Sequence, residues 1–335
     1  MATLIELDGV SRRYATPGGT ITAVDDVSLA LAAGEALCIV GESGCGKTTT
    51  GRMLAGLLRP TSGRLFFEGR DVWQTKGHDL ARFRRAVQIV HQDPYASLNP
   101  SRTIAQTLAA PLGKHKKLHG RGARAAMIAL LERVGLTPAE DLLVKYPHQL
   151  SGGQRQRVSI ARALTVDPRV IVADEAVSMV DVSIRISLLD LLHSLSREFH
   201  VATVLITHDL AVARYFARGG RIAVMYLGRV VELADTESLV ADPAHPYAVA
   251  LIAAIPEADP TITRTKERVT LRSAEVPSLL ALPSGCTFHP RCPFARDKCR
   301  VESPPLLPFE GAKVACHGIH EGWVPITVHP GAVAA

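Results

Sequence analysis

Two patterns of apolar residues divide the chain. Residues 3–10 and 21–31 alternate apolar and polar positions, which is the period of antiparallel strands with one exposed face. Other short runs are apolar throughout and are separated by helical segments, which predicts a parallel sheet covered on both faces. These runs are 35–40, 87–90, 169–173 and 201–207. The pattern therefore predicts an α/β fold with an additional antiparallel part.

Helical periodicity dominates the middle of the chain. Residues 101–164 carry leucine and alanine at spacings of three and four with few strand signals, which predicts a helical subdomain at about 93–164. A further helix is predicted over 182–199. The chain becomes proline-rich from about residue 256, which marks a boundary. We therefore expect a first domain at 1–255 and a small, irregular extension at 256–335.

Composition and charge narrow the class of protein. A chain of 335 residues with 47% hydrophobic and 21% charged residues is typical of a soluble globular protein of about two domains. It has no apolar run of about 18 residues and no signal peptide at its start, so we expect it in the cytoplasm, acting at a membrane only through partners. The net charge of +6 comes without a recognition motif, so no specific nucleic-acid partner is expected.

A glycine-rich segment between an apolar run and a helix carries the strongest chemical signal. Residues 41–48 read G-x-x-x-x-G-K-T, the loop whose backbone amides surround phosphate oxygens at a helix N-terminus. Lys47 can reach the β- and γ-phosphates, and the Thr48 hydroxyl can ligate Mg²⁺. The residues expected to contact the nucleotide are Gly41, Ser43, Gly44, Cys45, Gly46, Lys47, Thr48 and Thr49. The chain is predicted to bind a nucleoside triphosphate.

Polar residues follow the later apolar runs. Asp174 and Glu175 come directly after one run, where the first carboxylate can hold Mg²⁺ and the second can orient or deprotonate water. His208 follows the next run and could bind the γ-phosphate. Gln92 at a strand end and Tyr14, which could stack on a base, are weak signals when taken alone.

A second phosphate-binding arrangement lies at residues 151–154. Ser151, Gly152, Gly153 and Gln154 open a helix, so a hydroxyl and backbone amides point away from it. A chain with one complete phosphate loop does not need a second one for the same nucleotide. We therefore predict that this segment closes over a nucleotide held by a second, similar subunit.

Together, the phosphate loop, the LSGGQ segment and the Asp-Glu pair resemble the ATP-binding cassette of ABC transporters over about residues 3–255. The resemblance implies a P-loop NTPase fold with a RecA-like mixed core sheet, an antiparallel β subdomain and a helical subdomain. Tyr14 matches the aromatic residue that stacks on adenine. Residues 41–48 match the Walker A motif, in which Lys47 stabilises phosphate charge, and residues 151–154 match the signature.

Other positions acquire roles from the same resemblance. Gln92 matches the Q-loop glutamine, which ligates Mg²⁺ and senses the membrane subunit. Asp174 matches the Mg²⁺-binding Walker B aspartate, and Glu175 the catalytic glutamate. Asp181 matches the aspartate of the D-loop, and His208 the switch histidine that holds the γ-phosphate.

The segment between Glu175 and Asp181 departs from the family pattern. The family more often has Pro-Thr after the glutamate, whereas this chain has Ala176, which lacks the fixed φ of proline. The family also has Ala-Leu before the aspartate, where this chain has Met179 and Val180. We expect an active site, with altered packing of the segment that crosses to the other subunit.

Further residues resemble the oligopeptide/dipeptide (and nickel) importers. These are the GESGCGK form of the phosphate loop, residues 91–100 and the sequence His245-Pro246-Tyr247. The resemblance implies an ATPase subunit peripheral to the cytoplasmic face of the membrane. Its implied partners are a second, different ATPase chain, two transmembrane permease subunits and an extracytoplasmic solute-binding protein. The solute would be an oligopeptide or dipeptide, with nickel or an oligosaccharide as alternatives.

A soluble ABC ATPase that acts on nucleic acid or ribosomes is a rival from another class. Such proteins usually carry two cassettes in one chain, or coiled-coil or zinc insertions. This chain has one cassette and none of those insertions, which favours the transporter interpretation.

Four of the six cysteines lie near the end of the chain. Cys286, Cys292, Cys299 and Cys316 are separated by five, six and sixteen residues, without the close C-x-x-C pairs of structural zinc sites. From the residues alone, an iron–sulfur cluster, zinc and free thiols all remain open. The resemblance implies a [4Fe–4S] cluster on these four cysteines.

Overall fold

The computed structural model describes residues 2–178, 180–255 and 270–325, which form two sheets and a set of helices. The strands are β1 (Thr3–Thr16), β2 (Gly19–Ala32), β3 (Ala36–Val40), β4 (Ser62–Phe67), β5 (Arg70–Asp71), β6 (Val87–Val90), β7 (Val170–Asp174), β8 (Ala202–Thr207), β9 (Arg221–Tyr226), β10 (Arg229–Asp235), β11 (Leu307–Phe309) and β12 (Ala312–Val314). Two sequence-based predictions, the departure at Met179 and the domain boundary at residue 256, fall outside the described residues.

In chain order, most of the helices follow one strand of the larger sheet and precede the next. They are α1 (Lys47–Leu54), α2 (Gly77–Ala86), α3 (Pro94–Ser97), α4 (Ile104–Pro111), α5 (Gly120–Arg133), α6 (Ala139–Leu143), α7 (Gly152–Leu164), α8 (Val182–Phe199), α9 (Leu210–Phe216), α10 (Thr236–Ala241), α11 (Pro246–Ala253), α12 (Asp297–Val301) and α13 (His317–His320). No helix in the described ranges is both long and apolar enough to cross a membrane.

The larger sheet has eight strands in the order β11-β12-β10-β9-β3-β8-β7-β6. Strands β6, β7, β8, β3 and β9 are parallel, and β10 joins them antiparallel to β9. Every residue of β3, β7 and β8 is buried, because helices cover both faces of the sheet. The predicted mixed core sheet is confirmed, and its fully apolar strands are explained by this double burial.

The smaller sheet is antiparallel, with the order β2-β1-β4-β5. Strands β1 and β2 have 14 residues each and extend beyond the predicted alternating segments. Several register shifts interrupt their pairing, and such bulges increase the local twist and bend the strands. This sheet confirms the predicted antiparallel β subdomain and packs against the phosphate-loop side of the core.

Helices α3 to α7 form the predicted helical subdomain. Its interior is apolar, with Ile104, Leu108, Leu131 and Val158 fully buried. The helix after the phosphate loop begins at Lys47, within the G-x-x-x-x-G-K-T segment itself. Gly46 precedes it in a left-handed conformation with a φ of 101°, which a residue with a side chain rarely adopts.

The carboxy-terminal residues 270–325 are mostly irregular, but they also extend the larger sheet. Strand β12 pairs antiparallel with β10, so that Val314 lies opposite Glu232. The N–H of Ala315 donates to the carbonyl of Val231 at 2.8 Å, which continues this pairing. The sequence pattern does not predict the pairing, since a three-residue strand has too little periodicity to identify.

Truncation of Phe216 should test how much the core between α9 and the sheet contributes to stability. Phe216 is 0% exposed, so Phe216→Ala should lower the free energy of unfolding by about 3–5 kcal/mol through lost burial and a new cavity. Phe199→Ala is the matched control, because Phe199 is 44% exposed and its ring lies 4.7 Å from the guanidinium carbon of Arg133. The control should lose at most about 1 kcal/mol. Urea unfolding followed by circular dichroism measures both, and equal losses would contradict this account of the core.

Candidate active site

The predicted site residues follow neighbouring parallel strands at one edge of the larger sheet. The phosphate loop follows β3, Asp174 ends β7, and His208 follows β8. Strand β8 lies between β3 and β7 in the sheet. Because parallel strands end at the same edge, three segments that are distant in the sequence meet there.

The backbone of the phosphate loop lies against two neighbouring strands. A Cβ atom on Gly41 would be 2.1 Å from the carbonyl oxygen of Met225, and one on Gly46 would be 2.2 Å from that of Ala23. Both glycines have positive φ angles, +152° and +101°. By contrast, a Cβ atom on Gly44 would meet nothing within 4 Å. The loop is thus closely packed behind and open in front, as a phosphate-binding loop requires.

Lys47 places a positive charge inside the loop. Its side chain is buried, and its ammonium group donates to the carbonyls of Gly41 at 2.7 Å and Glu42 at 2.8 Å. These contacts hold the charge beside the open front of the loop. The arrangement suits a phosphate oxygen, which can take the place of a carbonyl acceptor.

Thr48 and Asp174 form a pair of oxygen ligands across the site. The Thr48 hydroxyl donates to Asp174 Oδ1 at 3.0 Å. Burial raises the pKa of Asp174, while the hydrogen bond from Thr48 opposes that rise. A hydroxyl beside a carboxylate is a donor set that Mg²⁺ prefers, and a bound cation would favour the charged carboxylate.

Glu175 lies between two other predicted site residues. His208 Nδ1 is 3.1 Å from Glu175 Oε1, and Gln92 Nε2 donates to Glu175 Oε2 at 3.2 Å. Gln92 also contacts the hydroxyl of Ser178 at 3.3 Å. The φ of Glu175 is +46°, a conformation that costs energy for a residue with a side chain and often occurs at functional positions. The structure thus brings Gln92, Glu175 and His208 together.

Tyr14 lies on the antiparallel sheet beside the phosphate loop. It pairs with Ile21 on β2, the strand whose Ala23 carbonyl faces Gly46. The guanidinium carbon of Arg12 lies 4.7 Å from the centre of the Tyr14 ring. One face of a partly buried aromatic ring is thus placed near the loop by strand pairing rather than by sequence proximity.

The LSGGQ segment forms the start of α7. Gln154 N–H donates to the Ser151 hydroxyl at 3.3 Å, and Ser151 N–H donates to the Gln154 side chain at 3.0 Å, which makes a capping box. Gly153 is buried against α8, where a Cβ atom would be 2.5 Å from a methyl group of Ile184. Ser151 is exposed. Asp181, the residue before α8, is also exposed, and its side chain makes no capping bond.

Several side chains of helix α7 contact the segment that carries Gln92. The guanidinium of Arg155 lies 3.6 Å from the centre of the Tyr95 ring, and Gln156 Nε2 donates to the carbonyl of His91 at 3.3 Å. The Ser97 and Ser159 hydroxyls are 2.9 Å apart. A movement of the Gln92 segment would therefore be transmitted to the LSGGQ turn.

The predicted [4Fe–4S] cluster is wrong. Within the described ranges, no group of three or more histidine, cysteine, aspartate or glutamate side chains is arranged to hold a metal ion. Cys286, Cys292, Cys299 and Cys316 are free thiols that line an apolar cavity of about 10 Å³. Burial raises the pKa of Cys286 to about 12 and that of Cys292 to about 11. It thereby favours the neutral thiol over the thiolate that binds metals.

The partners of Glu42, the second residue of the phosphate loop, could not be predicted from the sequence. Arg291, from the carboxy-terminal region, lies 3.0 Å from both carboxylate oxygens of Glu42. Tyr247 accepts a hydrogen bond from the N–H of the same Glu42 at 3.1 Å. The partners of Glu42 are more than 200 residues away in the chain, so no motif spacing could reveal them.

Comparisons with known proteins agree with this site. Residues 24–178 match the ABC transporter family, and residues 231–299 match the oligopeptide/dipeptide transporter, C-terminal region. A probable peptide ABC transporter ATP-binding protein of Sinorhizobium fredii is 47% identical, covering 94% of this chain and 89% of that protein. A dipeptide transport ATP-binding protein of Haemophilus influenzae is 42% identical, covering 89% and 90%. Neither name refers to an iron–sulfur cluster.

Solved structures show the same fold. A dimeric ATP-binding cassette in a post-hydrolysis state with ADP and phosphate is 30% identical, with a TM-score of 0.63 over 70% of this chain and 99% of that one. The cbiO1 protein of Clostridium perfringens, part of an ABC transporter complex, has a TM-score of 0.62 at 26% identity, over 71% and 91%. This chain therefore belongs to the ABC transporter ATP-binding proteins, a family of ATPases, and carries the oligopeptide/dipeptide transporter C-terminal region.

Proposed function

We propose that this ATPase energises a membrane importer of oligopeptides or dipeptides, and that its ATP site is built from the residues described above. The observation that carries the proposal is the convergence of Lys47, the Thr48–Asp174 pair and the Glu175–His208 pair at one edge of the sheet. The names of the relatives, which are peptide, dipeptide and oligopeptide transport proteins, support the choice of solute.

Nucleotide binding would use the open front of the phosphate loop. The amides of residues 41–48 would face the phosphates, and Lys47 would exchange a carbonyl partner for a phosphate oxygen. Mg²⁺ would be held by Thr48, Gln92 and Asp174 and would neutralise charge on the phosphates. Tyr14 would stack on the adenine ring, since it lies on the sheet beside the loop.

Hydrolysis would depend on the position of Glu175. Its carboxylate can accept a proton from the attacking water while His208 and Gln92 hold its two oxygens in place. His208 would also donate to the γ-phosphate. Most of the rate enhancement in such a reaction comes from positioning the water in line and stabilising charge, which fixed side chains and backbone amides can supply.

Residues 151–154 and Asp181 would act on the nucleotide of a partner subunit. Ser151 is exposed at the N-terminus of α7, where backbone N–H groups are free to bind phosphate. The side-chain bonds of Ser151 and Gln154 stay within their own turn. Two subunits facing head to tail would place each LSGGQ turn over the other subunit's phosphate loop.

The remaining partners follow from the role in import. We infer a second, different ATPase chain, two transmembrane permease subunits and an extracytoplasmic solute-binding protein, with this chain peripheral to the cytoplasmic face of the membrane. Tyr95 is 59% exposed beside Gln92 and stacks on Arg155. A permease contact at this tyrosine would reach both the γ-phosphate side of the site and the LSGGQ turn.

Replacing Glu175 tests the catalytic assignment. Glu175→Gln keeps the shape of the side chain but removes the base, so ATP turnover should fall at least about a hundredfold. ATP affinity should persist, because the phosphate loop is unchanged. Turnover assays and isothermal titration calorimetry measure the two quantities. The matched control is Glu237→Gln on α10, whose carboxylate accepts from Gly219 N–H, and it should leave turnover unchanged. Near wild-type hydrolysis by Glu175→Gln would refute the assignment.

A second prediction separates residues that bind the chain's own nucleotide from those that act across the interface. Lys47→Ala should abolish ATP binding by the isolated chain. Ser151→Ala should leave that binding intact but lower the ATPase activity of the assembled transporter. The cap lost from α7 should cost only about 1 kcal/mol of stability. Equal loss of ATP binding in both variants would contradict a shared site.

Purification from membranes tests the partners. The tagged chain should copurify from detergent-solubilised membranes with two permease subunits and a second ATPase chain of different sequence. Mass spectrometry of the complex identifies them. Recovery with ribosomes or nucleic acid would favour the soluble-ATPase rival, and recovery with a second copy of this chain alone would contradict the heterodimer.

A further inference from the structure

A partly buried ion pair joins the carboxy-terminal region to the phosphate loop. The side chain of Arg291 is 7% exposed, and its Nη1 atom lies 3.0 Å from both carboxylate oxygens of Glu42. Glu42 is the second residue of the phosphate loop. The two partners are 249 residues apart in the chain.

Aromatic rings cover the Arg291 side of this pair. The Arg291 guanidinium lies 5.7 Å from the centre of the Tyr226 ring and 5.9 Å from that of Phe288. The rings of Tyr226 and Tyr247 are 4.6 Å apart, and Phe288 packs against both. A charge-assisted contact in such surroundings is stronger than one at the surface, and loss of Glu42 would leave the buried Arg291 guanidinium without its carboxylate partner.

Glu42 is held by three different groups. Its carboxylate accepts from Arg291, its N–H donates to the Tyr247 hydroxyl at 3.1 Å, and its carbonyl accepts from the Lys47 ammonium at 2.8 Å. Arg291 therefore acts on the same residue whose carbonyl positions Lys47. The backbone contact of Gly41 with Met225 fixes the preceding residue, so Glu42 has little freedom to relax when one of these contacts is lost.

We propose that Arg291 is a positioning residue for ATP binding. Through Glu42 it holds the phosphate loop in the conformation that presents Lys47 and the loop amides to the nucleotide, so the carboxy-terminal region sets the affinity of the site for ATP. This inference rests on the proposed role of residues 41–48 as the phosphate loop. An arginine that only fastened the carboxy-terminal region would change stability without changing ATP affinity.

The test compares three single variants of the full chain by their Kd for ATP, KM, kcat and melting temperature. Arg291→Gln should raise the Kd and the KM for ATP about tenfold, with kcat within about twofold of wild type, because Glu175, Gln92 and His208 keep their positions. Arg291→Lys should raise them about threefold, since lysine keeps the charge but has a single nitrogen, which cannot also replace the Arg291 Nε that lies 3.4 Å from the Ser273 carbonyl. Arg300→Gln is the matched control from the same region. Its side chain is 62% exposed, and its Nε lies 3.9 Å from Asp297 Oδ1 in a surface ion pair, so the ATP affinity of this variant should be unchanged.

A double variant tests whether Arg291 acts through Glu42. Glu42→Gln should raise the Kd for ATP about as much as Arg291→Gln does, and the double variant should be no weaker than either single variant. If the losses of ATP affinity in the two single variants add up in the double variant, Arg291 acts by a route other than Glu42, and the proposal is overturned. If Arg291→Gln does not fold, Arg291→Lys and the Arg300→Gln control decide the outcome.

Two further outcomes separate the positioning role of Arg291 from the assignment of the phosphate loop. ATP affinities at wild-type level in both Arg291 variants, with a lower melting temperature and with Lys47→Ala unable to bind ATP, would overturn the positioning role and leave the phosphate loop assigned. Undiminished ATP binding by Lys47→Ala would overturn the proposed function itself. The measured pattern therefore shows which of the two assignments has failed.

Discussion

The parallel pairing of β3, β8 and β7 is the constraint on which the rest of the site depends. The backbone hydrogen bonds of these strands, each buried on both faces, bring three strand ends to one edge of the sheet. That edge brings the phosphate loop, Asp174 and His208 together, and their own contacts then fix each of them. Catalytic side chains in loops can be held to a fraction of an ångström only when the strands behind them are rigid, which complete burial ensures.

The phosphate loop itself is held from four directions. Strand β2 lies against Gly46, strand β9 lies against Gly41, Asp174 accepts from Thr48, and Arg291 pairs with Glu42. Each contact comes from a different part of the chain. Both sheets and the carboxy-terminal region therefore meet at this loop. Their contacts stabilise the positive φ angles and the buried ammonium group of this short segment.

The LSGGQ turn differs from the phosphate loop in its exposure to solvent. It has a complete internal cap and close packing against α8, yet its serine faces solvent. Arg155 and Gln156 connect this turn to the segment that carries Gln92. The Gln92 side chain in turn donates to the Glu175 carboxylate. A surface that is preorganised but exposed, and linked to the catalytic carboxylate, is suited to a subunit interface that forms and separates during turnover.

Local sequence determined most of the secondary structure and the chemistry of the ATP site. Helix α8 has the bounds that its periodicity predicts, and the G-x-x-x-x-G-K-T and LSGGQ segments lie at helix starts, because capping, glycine conformations and apolar periodicity act over a few residues. Tertiary structure alone decided the pairing of β12 with β10, the contact of Arg291 with Glu42 and the arrangement of the four cysteines, for which the resemblance to peptide importers implied a wrong cluster. These features depend on groups that meet only after the chain has folded, and residue spacing carries no information about distances across the fold.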